Sequence, residues 1–133
     1  MENRLKHLEF IQATIVRMAS NSFIIKGWAI TLVIILFTVI SSIDVENSCT
    51  IVLFISIAMF WVLDGFFVSR ERSFRSLYDH VRKLKTEEID FSMDISDFTK
   101  GKNGWFRSVF SGTLVIFYIL LILSMLIIYY LIK

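Results

Sequence analysis

Three long apolar runs divide the chain, at residues 23–43, 50–68 and 112–132. At about 1.5 Å rise per residue, roughly 20 helical residues match a hydrocarbon core of about 30 Å. Lipid offers backbone groups no partner, so only helices and closed barrels can span it. Barrel strands alternate apolar and polar positions, and these runs do not. The pattern predicts an all-α integral membrane protein with three transmembrane helices, the first two joined by an outer loop at 44–49.

Polar and apolar positions recur in register outside the runs. In residues 1–22, Leu5, Leu8, Ile11, Ile15, Met18 and Ser22 repeat every three or four positions, predicting an amphipathic helix that lies on the membrane or runs straight into the first span. Beyond the second run, Phe74, Leu77, Tyr78, Val81 and Leu84 form another stripe, so helix two should continue past the bilayer. Two apolar stripes then need burial, against each other within one chain or between copies. From Ile89 the period becomes two: Ile89, Phe91, Met93 and Ile95 alternate with Asp90, Ser92, Asp94 and Ser96, predicting an extended or edge-strand segment. Residues 101–104 read as a turn and 105–110 as a short amphipathic piece before helix three.

Composition agrees. Of 133 residues, 56% are hydrophobic and 20% charged, against about 25% charged in average soluble chains. This excludes an ordinary soluble enzyme, a disordered tail and, with one Cys, a disulfide scaffold. Charge distribution sets the expected orientation. Arg4, Lys6 and Arg17 precede the first run, and nine bases fall in 69–111, whereas the 44–49 loop holds Asp44 and Glu46 and no base. The positive-inside rule places the N-terminus and 69–111 in the cytoplasm and the C-terminus outside. Tyr129 and Tyr130 then fit an outer aromatic belt, and Trp105 an inner one. About twenty residues precede the first run, which argues against a cleaved signal peptide. Cys49 falls on the outer side, as a free thiol or an intermolecular disulfide.

Candidate chemistry is sparse. There is no Gly-rich phosphate loop, paired-cysteine metal spacing or HExxH, so no catalytic residue, metal or cofactor is expected. His7 and His80 read as surface or packing residues. Two ionisable residues interrupt the spans, Lys26 and Asp64, each about one turn inside the cytoplasmic boundary. A charge deep in a bilayer costs roughly 2.5–3.5 kcal/mol on insertion scales, so such residues have partners or a wet path. Antiparallel neighbours place the two at matching depth. They form a structural pair, or Lys26 snorkels while Asp64 binds another chain, or Asp64 contributes to an acidic ring at the mouth of an oligomeric pore. In the last case Asp64→Asn lowers cation selectivity. Gly27, Thr31, Thr38 and Ser41 or Ser42 share one face of helix one, as a packing surface or a pore lining. Helix three carries no charge; it faces lipid or forms a hydrophobic constriction. Arg70, Arg72, Arg75, Arg82, Lys83 and Lys85 form a basic run opposed by Glu71 and Asp79. Beneath a membrane these bases are candidate contacts for anionic lipid, or for another anionic ligand such as nucleic acid.

Two stretches, RMASNSFIIKGWAITL at 17–32 and FWVLDGFFVSRERSFRSLY at 60–78, with FSMD at 91–94, resemble a widespread group of small bacterial inner-membrane proteins. Within that group the chain looks like the membrane effectors of Hailong anti-phage defence systems. The resemblance implies a homo-oligomeric, ion-channel-like effector, compatible with four copies, that disrupts the inner membrane when triggered. It also implies a partner nucleotidyltransferase whose single-stranded DNA oligomers hold the effector closed. No DNA-reading positions are carried over. The classes left open are a gated pore of antiviral defence, a non-conducting scaffold or anchor that recruits a soluble partner through the Phe74 to Leu84 stripe, and an ion-coupled transporter with Asp64 as carrier site.

Overall fold

Helix formation starts almost at the first residue, because nothing between Met1 and Lys26 breaks it. In the computed structural model, residues 1–42 and 48–132 are described. They form α1 (Glu2–Ser42), α2 (Ser48–Val81), α3 (Trp105–Val109) and α4 (Gly112–Ile132), with single 3-10 turns at Thr86–Glu88, Ser96–Phe98 and Gly101–Asn103. Among the described residues there is no strand. Asp44, Glu46, Lys133 and the Cys49 side chain lie outside what is described.

Helices α1, α2 and α4 are each long and apolar enough to cross a membrane. The 41 residues of α1 extend roughly 60 Å, twice the hydrocarbon thickness, so the expected 1–22 helix and first span are one continuous rod. The 34 residues of α2 likewise exceed one crossing. Two apolar clusters show α1 and α2 running antiparallel. In one, Ala29 and Val33 of α1 meet Leu53 and Ile57 of α2, with Leu114, Tyr118 and Met125 of α4 completing it. In the other, Ile11 and Ile15 meet Leu77 and Val81, capped by Ile89 and Ile95. Rising numbers on α1 thus pair with falling numbers on α2. The two stripes bury each other within one chain. The α1 stripe is rotated at its start: Leu5 is exposed, and His7 is buried with its ring edge-to-face on Phe91 at 5.5 Å.

One expectation is corrected. In the 89–95 segment only the ends of the predicted apolar row, Ile89 and Ile95, are buried; Phe91 and Met93 are exposed, and the segment is not a strand. Its polar side chains turn back onto the local backbone: Asp90 accepts from the Ser92 N–H at 3.0 Å, Ser92 from Asp94 at 3.1 Å, and Asp94 from Ser96 at 2.9 Å. Such Asx- and ST-type bonds compete with a ladder, and Phe91 sits at φ 56°. The small face of α1 is unpacked within the single chain. Gly27 faces open space, and Thr31 and Thr38 are exposed, each hydroxyl bonded to the carbonyl four residues back. The packed face carries Ser22, Ile25, Ala29 and Val33 instead.

The 101–109 stretch is fastened along α2. Asn103 is buried; its amide donates to the Ser76 hydroxyl and the Phe98 carbonyl, both at 2.8 Å, and its carbonyl accepts from Ser69 at 2.6 Å. Trp61 and Trp105 donate across the α2–α3 contact, to the Val109 carbonyl at 2.8 Å and the Val62 carbonyl at 3.0 Å. Gly65 lets α3 approach that closely, since a Cβ there would sit 2.9 Å from Val109 Cα.

Candidate functional site

The antiparallel register sets Lys26 of α1 level with Asp64 of α2, and α4 closes the third side with Tyr118. Asp64 is fully buried. Its Oδ1 accepts a hydrogen bond from the Ser22 hydroxyl. Its Oδ2 accepts from Lys26 Nζ at 2.6 Å and from the Tyr118 hydroxyl at 3.2 Å. Lys26 Nζ also donates to Ser22 Oγ at 2.8 Å and lies 5.7 Å from the centre of the Phe117 ring. Trp61 stacks on Tyr118 at 5.5 Å with planes 8° apart, holding the phenol in place.

Three helices therefore converge on one carboxylate. An unpaired carboxylate at this position would be too costly to keep charged, and the three donors compensate it.

A polar cavity of about 360 Å³ opens beside the network, lined by Ser22, Lys26, Glu71, Arg72, Arg75, Ser111 and Thr113. It brings Lys26 and Ser22 of the network together with Arg72 and Arg75 of α2. The six bases of the 70–85 run separate into three locations. Arg72 and Arg75 line this cavity, with Arg75 held by Glu71 at 2.8 Å. Arg70 lies over the Phe66 ring at 5.0 Å. Arg82 pairs with Asp79 at 3.2 Å, and Lys83 and Lys85 are exposed farther along. His80 packs near Phe98, with centroids 5.6 Å apart. Among the described residues no group of three or more His, Cys, Asp or Glu is set to hold a metal ion.

Tyr118 and Ser22 complete the site, and neither was singled out for it from sequence. A phenol hydroxyl within a charge-free apolar span is the sequence signal for Tyr118, because a buried phenol requires a partner. Ser22 had been counted only as a member of an apolar stripe. No protein-family model, curated protein or solved structure matches the chain.

Proposed function

We propose that the protein is the subunit of an oligomeric, gated ion-conducting membrane assembly, with the Ser22–Lys26–Asp64–Tyr118 network as the latch that holds each subunit closed. The observation that carries this reading is the fully buried Asp64, tied to α1 and α4, with a cavity beside its partners Ser22 and Lys26. Buried ionic groups are weak contributors to stability, and their best-attested use is to specify a register or operate a switch. Three spans in one copy cannot enclose a pathway, so conduction requires several copies. The Arg-rich end faces the cytoplasm by the positive-inside rule, and gating acts from that side. The acidic-ring arrangement requires Asp64 to leave its donors first, so pairing is the closed state and release the open one.

The resemblance carried by 17–32, 60–78 and 91–94 supplies the context of a bacterial inner-membrane effector of anti-phage defence. In that context single-stranded DNA oligomers from a partner nucleotidyltransferase keep the assembly closed, and their loss opens it. The test is ion flux through the purified protein in liposomes, with and without short single-stranded DNA on the Arg-rich side. The reading expects flux that DNA suppresses, with suppression weakening as salt rises. No flux in either condition from assembled protein would overturn it in favour of a non-conducting scaffold. The scaffold reading loses its expected docking stripe, since Leu77 and Val81 are already covered by Ile11 and Ile15.

A further inference from the structure

We infer that the cavity beside Lys26 is a binding site for the phosphodiester group of an anionic phospholipid. Three independent features converge there. First, Ser111 lines the cavity, is only 9% exposed, and its hydroxyl has no hydrogen-bond partner. An orphaned buried hydroxyl is costly, and a ligand oxygen would satisfy it.

Second, Ser111 stands at the start of α4, where its carbonyl accepts the Val115 N–H at 2.9 Å. The first N–H groups of this 21-residue helix have no intrahelical partner, and the unpartnered Ser111 hydroxyl does not cap them. A helix start with free N–H groups favours a bound anion.

Third, the charges leave room for one negative charge. Lys26, Arg72 and Arg75 are set against Asp64 and Glu71, a sum of +1. Lys26 is occupied by Asp64 and Arg75 by Glu71. Arg72 reaches the Lys102 carbonyl at 3.3 Å, and among the described residues no carboxylate pairs with it. Arg72, the α4 start and Ser111 thus supply charge, N–H donors and a hydroxyl for a phosphodiester monoanion.

Position selects lipid as the source of that group. The cavity lies at the Arg-rich end of the three apolar helices, just outside the Lys26–Asp64 level, where a bilayer carries its phosphates. Its remaining walls, Val68 and Leu114, are apolar. The site stands whether or not the assembly conducts.

Native mass spectrometry of the full-length protein in non-ionic detergent tests it. Phosphatidylglycerol is titrated in, phosphatidylcholine serves as the zwitterionic comparison, and inorganic phosphate is the competitor. The expected result is saturable retention of one phosphatidylglycerol per chain in preference to phosphatidylcholine. Loss of a charge-assisted contact in Arg72→Gln should weaken retention about tenfold. Ser111→Ala should weaken it less, Arg72→Lys should recover part of the loss, and Arg82→Gln should leave it unchanged. Equal losses in Arg72→Gln and Arg82→Gln would mean diffuse attraction and overturn the site. So would equal retention of the two lipids. Displacement by inorganic phosphate at matched concentration would overturn lipid as the occupant and make free phosphate the ligand. Should Arg72→Gln lose its helical circular dichroism, Arg72→Lys and Ser111→Ala carry the test.

Discussion

Asp64 is the residue on which the three spans meet, and its partners can be separated experimentally. Removing one member of a buried pair leaves the other uncompensated, a loss of about 3–5 kcal/mol, whereas replacing both with apolar groups costs far less. Asp64→Asn and Lys26→Met should therefore each destabilise strongly, and Lys26→Met with Asp64→Leu should regain much of the loss. Tyr118→Phe removes one hydrogen bond and should cost about 1 kcal/mol. A double-mutant cycle by detergent unfolding checks this; additive losses would mean that the contact seen at 2.6 Å contributes nothing. Lys26 and Asp64 could be singled out from sequence because charges in apolar runs are rare, and the antiparallel register gave their common depth. Ser22 and Tyr118 could not be assigned, because rotation of each helix about its axis decides which hydroxyl points at the carboxylate, and an almost uniformly apolar α4 carries no periodic signal of that rotation.

Among elements, the α2–α3 contact and the 89–97 segment make different predictions. Gly65→Ala places a Cβ 2.9 Å from Val109 Cα and should destabilise by about 1–3 kcal/mol through overpacking. Gly27→Ala meets nothing within 4 Å and should be neutral or stabilising, by up to about 1 kcal/mol from helix propensity. Thermal unfolding in detergent distinguishes the two, and equal effects would contradict the described approach of α3. In the 89–97 segment, the Ser96 hydroxyl and then the Ser96 N–H hold the Asp94 carboxyl below its ordinary value of 3.8. A depressed folded value means that this local order is fully present above the ordinary value and is lost as pH falls through the folded one. Carboxyl-carbon NMR should show Asp94 titrating below its ordinary value, and Ser96→Ala moving it upward; no upward movement would contradict the hydroxyl's role. The period of two in this segment was legible, but not its conformation. Phe91 and Met93 are exposed although they belong to the apolar row, and local bonds from Asp90, Ser92 and Asp94 decide that the backbone coils rather than pairs.

For the whole molecule, length and apolar character were enough to give three membrane-crossing helices, because the bilayer constrains both. The absence of a breaker allowed α1 to continue through residue 22 or to lie on the membrane, and the structure shows it continuous. What one chain leaves open is its outer surface. The Gly27, Thr31 and Thr38 face is unpacked within the chain and is available to neighbouring copies or to a pathway between them. On the proposed account, the latch sets how often each subunit leaves its closed arrangement. Losing a contact worth about 3 kcal/mol would raise the open-to-closed ratio by roughly a hundredfold. The most direct measurement compares ion flux through wild-type and Asp64→Asn protein in liposomes at equal protein-to-lipid ratio, with assembly confirmed by size-exclusion chromatography. The account predicts greater flux through Asp64→Asn, and more single-stranded DNA needed to silence it. Equal flux through the two, or none through either, would contradict it.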